Sequence, residues 1–287
     1  MKTITDMRFP FLYALAGLLL TLSGATIAGG QGQAGQPVIR DTDDGVKYKS
    51  GQNVVPAYEG WVPNPDGTFS LVFGYFNRNW EEELFIPVGP DNHIDPGGPD
   101  RGQPTYFAPR RGKNVFEIIV PKDFGKKEVV WTLTSRGKTE KAYGALVPEE
   151  VLTRRMVMMG GSLNAAAAAG NDDNGDENDP NKPPTVTVAP VPSVSVPGPA
   201  TLTASVTDDG RSAGRGARAA ALRVEWNLYR GPARVVFGSP RSQLAVPTGG
   251  TATTTASFKA PGTYVLRATA TDAGGMAINS DVTVIVK

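Results

Sequence analysis

The 287-residue chain has no cysteine and a single histidine, His93. The first absence excludes thiol catalysis, cysteine-ligated zinc, iron–sulfur clusters, disulfide scaffolds and lipid attachment through cysteine; the second leaves little for a histidine-based metal site. Long apolar runs are also missing. The N-terminal run, residues 9–22, is 14 residues long, short of the roughly 18–20 that span a bilayer, so a retained anchor is the weaker reading. Lys2 and Arg8 precede it, and Ser23, Gly24, Ala25 and Ala28 follow. That order predicts a signal peptide over 1–28, cut after Ala28 or Ala25, with no integral membrane segment after cleavage. A secreted or periplasmic location is expected, and stability is expected from hydrophobic burial, since disulfides were open to an exported chain and are not used.

An excess of one charge sign is lacking too. Residues 1–28 hold Lys2, Arg8 and Asp6, so the remainder carries 27 basic and 27 acidic side chains. The balance is uneven: residues 184–287 have ten Lys/Arg against five Asp/Glu, and 35–150 have fourteen against seventeen. The fold class predicted is all-β, two β-sandwich domains over 46–150 and 184–287 that fold independently, joined by a disordered acidic linker within 151–183. At the start of the joint, Pro148, Glu149 and Glu150 predict a short helix, with proline in its first turn and carboxylates at its positive end. Met156, Met158 and Met159 are expected to pack on the first domain. Asp172, Asn174 and Asp176 have the spacing of a calcium loop, but Glu177 stands where glycine is needed and no glutamate follows at the twelfth position. A solvated spacer is the expectation there, and no cofactor is predicted, calcium being unsupported.

Beyond Pro184, short period-two runs separated by Pro, Gly and Asp predict about seven strands, including 222–228, 233–237, 252–258, 263–271 and 281–286. Val224-Glu-Trp226-Asn-Leu-Tyr-Arg-Gly231 and Ala260-Pro-Gly-Thr-Tyr264, leading to Asp272-Ala-Gly274, resemble the polycystic-kidney-disease (PKD) repeat and its bacterial Ig-like relatives. The resemblance implies an Ig-like sandwich over about the last 100 residues, with Trp226 filling its core. The family's acidic Gly-rich turn after this tryptophan is replaced here by residues 227–231, which makes the domain PKD-like. Asp208, Asp209 and Asp272 fall at strand ends, where related folds sometimes hold calcium; turn-forming carboxylates are the simpler reading. Arg211, Arg215 and Arg218 in a Gly/Ala-rich loop are candidate contacts for an acidic polysaccharide or phosphate.

In the first half, runs over 57–62 and 68–77 flank the turn sequence Pro63-Asn-Pro-Asp-Gly67, the clearest hairpin of the chain. Phe69, Leu71, Phe73 and Tyr75 share one face. Further strands are predicted over 83–88, 115–120 and 129–135, with 136–138 in a turn and a long ordered loop over 89–112 laid on the sheet. Tyr-Glu-Gly-Trp61, Phe73-Gly-Tyr-Phe-Asn-Arg-Asn79 and Pro109-Arg-Arg111 resemble a group of uncharacterised exported β proteins of environmental bacteria, a likeness that carries no activity.

No catalytic residue is predicted. The expected role is a non-catalytic interaction or structural module of the cell envelope or extracellular space, with an envelope or extracellular protein or polysaccharide as partner. Nucleic acid is not expected, because no aromatics interleave the arginines. One alternative is a carbohydrate-binding protein using Trp61, Tyr75, Phe76 and Trp80, whose rings would stack on sugar faces. Another is an enzyme using His93 with nearby carboxylates. Asp91, His93 and Asp95 alternate, and an extended backbone would offer them together to a metal.

Overall fold

Period-two burial runs through most of the chain, and the molecule is all-β. The computed structural model describes residues 47–159, 181–211 and 221–287. The signal peptide, the calcium-like spacing at 172–176, most of the acidic linker, and Arg215 and Arg218 lie outside the described residues.

The first half contains β1 (Val54–Pro63), β2 (Phe69–Asn77), β3 (Leu84–Phe85), β4 (Asn92–Asp95), β5 (Tyr106–Phe107), β6 (Arg110–Val120), β7 (Val129–Ser135) and β8 (Lys138–Gly144). They form the sheets β1-β2-β6 and β4-β7-β8 and the short pair β3-β5. The β1–β2 hairpin closes as its sequence predicts: the Asp66 carboxylate accepts from the amide and hydroxyl of Thr68. These bonds hold the Asp66 carboxyl below its ordinary range. Between the sheets, Phe73 stacks on Phe116 and Trp131 meets Phe116 edge-on, the centroids 5.4 and 4.9 Å apart.

The structure corrects two expectations in this half and adds two features to them. The predicted strand over 83–88 shrinks to β3. The predicted 89–112 loop contains β4 and β5, because Ile94 is buried and Asn92 acts as a pin: its carboxamide donates to the carbonyls of Ile86 and Pro104 and accepts from Trp131 Nε1. β8, which no strand reading covered, is a lysine-bearing edge strand with a weak apolar pattern. It is directed by the turn at Arg136 and Gly137, both at positive φ, 54° and 72°. Finally, β2 is buried not only on the face of Leu71, Phe73 and Tyr75 but on the other as well. The second face is covered by the segment after β8, where a 3-10 turn (Pro148–Glu150) leads to the helix α1 (Arg154–Met159). Leu152 N donates to Trp61 O, and Arg154 reaches Glu117 and Asn64.

The second half contains β9 (Thr185–Val188), β10 (Ala200–Thr207), β11 (Arg223–Arg230), β12 (Val235–Phe237), β13 (Arg241–Gln243), β14 (Gly249–Phe258), β15 (Gly262–Thr271) and β16 (Ala277–Val286). Sheets β12-β14-β10-β9 and β13-β11-β15-β16 enclose one apolar cluster, in which Trp226, Tyr264, Leu202 and Leu266 are fully buried. Two β-sheets over a shared core define a β-sandwich. Trp226 lies in this core, as the alternation of β11 requires.

Val46–Lys287 form one compact unit, and the two apolar clusters are linked by a bulge in β11. Leu228 pairs with Leu266 and Arg230 with Val265, so Tyr229 is the extra residue. Successive strand side chains point to opposite faces, and the bulge bends the strand and increases its local twist. Here Leu228 enters the second core while Tyr229 enters the first.

Candidate functional site

The four aromatics singled out in the sequence do not share a surface. Trp61 is half-buried, donates its indole N–H to Val147 O at 2.7 Å and lies edge-on to Phe69. Tyr75 is buried, and its hydroxyl accepts from Ala108 N; burial pushes this phenol up to about 12. Phe76, next in the strand, points to the opposite side and is exposed. Trp80 has Arg110 3.6 Å and Lys47 4.4 Å from its ring centroid, a cation–π arrangement.

His93 sits in β4 with Nδ1 3.0 Å from Pro90 O and Nε2 3.5 Å from the Asp95 carboxylate. Asp91 is in the preceding turn, where its carbonyl accepts from Thr134 N. Among the described residues, no three His, Cys, Asp or Glu side chains are grouped to hold a metal ion. In the turn between β15 and β16, the fully buried Asp272 accepts from Met276 N and Asn181 Nδ2, both at 2.8 Å. Asp209 accepts from the amides of Arg211 and Lys182, and Asp208 from that of Gly210. Burial raises the Asp208 carboxyl, and the neighbouring Asp272 and Asp209 add to the shift. These carboxylates bind local backbone and amide donors.

A concave site lies between the first half and the second. It is built from another bulge, in β6. Phe73 pairs with Phe116 and Tyr75 with Gly112, so Lys113, Asn114 and Val115 together face Gly74. Gly74 permits this because the Glu59 carboxylate, paired with Arg111, and the Gly112 carbonyl occupy the space a Cβ would need. Asn114 has φ 52° and donates its Nδ2 to Val157 O, tying α1 to the bulge.

Across the gap, Arg267 of β15 lies over the Tyr229 ring at 3.7 Å and donates to both oxygens of Asp281, at 2.8 and 2.9 Å. Its third donor reaches Val115 O, at 2.6 Å. Burial works against the Arg267 charge, but the Asp281 carboxylate outweighs it and raises the guanidinium. The contact is extended by Tyr229 Oη donating to Gly102 O and by Arg230, which binds Gln103 O and both oxygens of Asp100. The Arg230 bonds hold the Asp100 carboxyl below its usual range.

Between these contacts is a cleft of about 380 Å³. Its sides include Lys113, Asn114 and Met158, and its sheet face carries Glu225, Asn227 and Asn279. None of these was read from the sequence as a site residue. Polar residues at alternate positions of β11 read as an ordinary solvated face, and nothing local marks β6 as bulged.

No family model matches the chain, and no curated protein is similar to it. Among solved structures, the chain is similar to dimeric latent PorU from Porphyromonas gingivalis, with 11% identity over 82% of this chain and a TM-score of 0.25. It spans about a quarter of that protein, 24%. It is also similar to the IG1+IG2 domains of DIP-gamma, with 11% identity over 81% of this chain and 97% of the other, and a TM-score of 0.21.

Proposed function

We propose that the chain is an exported, non-catalytic interaction or structural module of the cell envelope or extracellular space. In this reading a signal peptide over 1–28 precedes two sandwich domains, the second Ig-like and PKD-like, and the partner is an envelope or extracellular protein or polysaccharide. One observation carries it: the side chains best suited to acid–base work are engaged in holding the fold. His93 is held between Pro90 O and Asp95, Glu59 pairs with Arg111 beneath the β6 bulge, and Asp272 is closed by an amide N–H and a carboxamide. What remains presentable is a cleft between two docked sandwiches, and concave sites with a few converging polar groups are where ligands bind.

The test is retention of the full chain on immobilised envelope polysaccharide and protein fractions, with the same fractions assayed for cleavage or modification. Retention without turnover, unchanged in His93→Ala, is expected. A measurable turnover that His93→Ala abolishes would overturn the reading.

A further inference from the structure

We infer that the cleft between the two sandwiches is a glycan subsite that takes a uronic acid unit of an acidic polysaccharide. The inference rests on the interaction-module reading and adds the ligand class to it.

The charge selects an anion. Arg111 is paired with Glu59, Arg267 with Asp281 and Glu225 with Arg241. Lys113, brought to the cleft by the bulge, has no counter-ion among the described residues. Among the described residues the cleft thus has one ammonium group in excess, and bulges commonly re-aim a side chain beside a binding site. A carboxylate meets that ammonium in a charge-assisted hydrogen bond.

The sheet face selects hydroxyls. Glu225 lies opposite Thr269 on β15, which lies opposite Asn279 on β16, and Asn227 lies opposite Arg267. The Thr269 hydroxyl donates to Asn279 Oδ1 at 2.7 Å, so the Asn279 NH₂ stays available, as does the exposed Asn227 carboxamide. Carboxamides and a carboxylate side by side both donate to and accept from vicinal hydroxyls. Val157 and Met158 give the C–H side of a sugar ring an apolar neighbour. The volume is at the lower end of the roughly 300–1,000 Å³ of small-molecule sites, the size of one or two sugar rings. A peptide carboxylate would meet Lys113 equally well but carries too few hydroxyls for the sheet face.

The experiment is calorimetric titration of the full chain with digalacturonate, with cellobiose as the neutral match and the dipeptide Asp-Asp as the acidic non-sugar. Digalacturonate is expected to bind most tightly. Lys113→Ala should weaken it about tenfold, the effect of one charge-assisted hydrogen bond, and Lys113→Arg should restore it. Cellobiose should be indifferent to Lys113→Ala, while Asn227→Ala should weaken both sugars. Both residues are exposed, so melting temperatures should hold. The inference is overturned if digalacturonate gives no saturable heat up to about 10 mM, if neither alanine variant changes its binding, or if Asp-Asp binds as well. If any of these occurs while envelope material still retains the chain, the subsite falls and the interaction-module reading stands. Loss of retention together with His93-dependent turnover removes both.

Discussion

Trp226 shows how one residue carries two opposing contributions. Its ring is 1% exposed at the centre of the second sandwich, yet its indole N–H meets no acceptor among the described residues. Trp226→Ala should therefore cost about 3–5 kcal/mol, the range for deleting a large buried aromatic. Trp226→Phe should cost much less, since it removes an unpartnered donor along with some volume. Denaturant unfolding of both variants measures the difference, and equal losses would mean that the indole nitrogen is partnered. Asp208 offers the opposite sign. Its folded-state carboxyl is raised above the ordinary 3.8, mainly by burial, so its charge opposes folding once the pH exceeds that value. Asp208→Asn keeps an acceptor for Gly210 N and should raise the melting temperature at pH 7. The gain should vanish below pH 3.8, and a gain that persisted there would have another source.

At the scale of elements, two bulges decide where the molecule has a cleft and how its halves meet. The β6 bulge requires Gly74, because a methyl group there would press on the Glu59 carboxylate and the Gly112 carbonyl. Gly74→Ala should cost about 1–3 kcal/mol, as overpacking does, and should also weaken any ligand that depends on Lys113. A stability loss with Lys113-dependent binding intact would separate the bulge from the cleft. The β11 bulge at Tyr229 was hidden for a similar reason: Leu228 and Tyr229 are adjacent apolar residues, and adjacent positions on a regular strand serve opposite faces. The alternation therefore gave the right face for Trp226 and Leu228 and said nothing of Tyr229 being buried in a second core.

For the whole molecule, the expectation of independent halves meets an interface of specific bonds. Tyr229, Arg230 and Arg267 of the second sandwich reach Gly102, Asp100 and Val115 of the first, and Phe85 and Tyr106 of the first pack against the second core. After limited proteolysis between residues 160 and 180, the two fragments should co-elute in gel filtration at pH 7. Acid should loosen them: Asp100 is held low chiefly by the hydrogen bonds from Arg230. A carboxylate with a depressed folded-state value stabilises above its ordinary 3.8 and loses that contribution as the pH falls through the lower value. Because the pair is half-exposed, added salt should loosen it as well. Arg230→Ala together with Arg267→Ala should separate the fragments at neutral pH, whereas wild-type fragments that part at once would show that the contact does not hold the halves together.

Local pattern was enough for what depends on neighbours in sequence: the β1–β2 hairpin from its Pro/Asn/Asp/Gly turn, the strands β10, β11, β12, β14, β15 and β16 from their alternation, and the burial of Trp226. It failed where polar residues do structural work at long range. Asn77, Asn79 and Asn92 are wholly buried and bind carbonyls from distant segments, so a stretch rich in Asn, Pro and Gly reads as loop although it pins the core. The cleft lay further still from legibility. Lys113, Asn227 and Asn279 belong to three strands, and only the docking of two sandwiches around two bulges brings them to one place, because register and interface are properties of pairs of strands and no single strand encodes them.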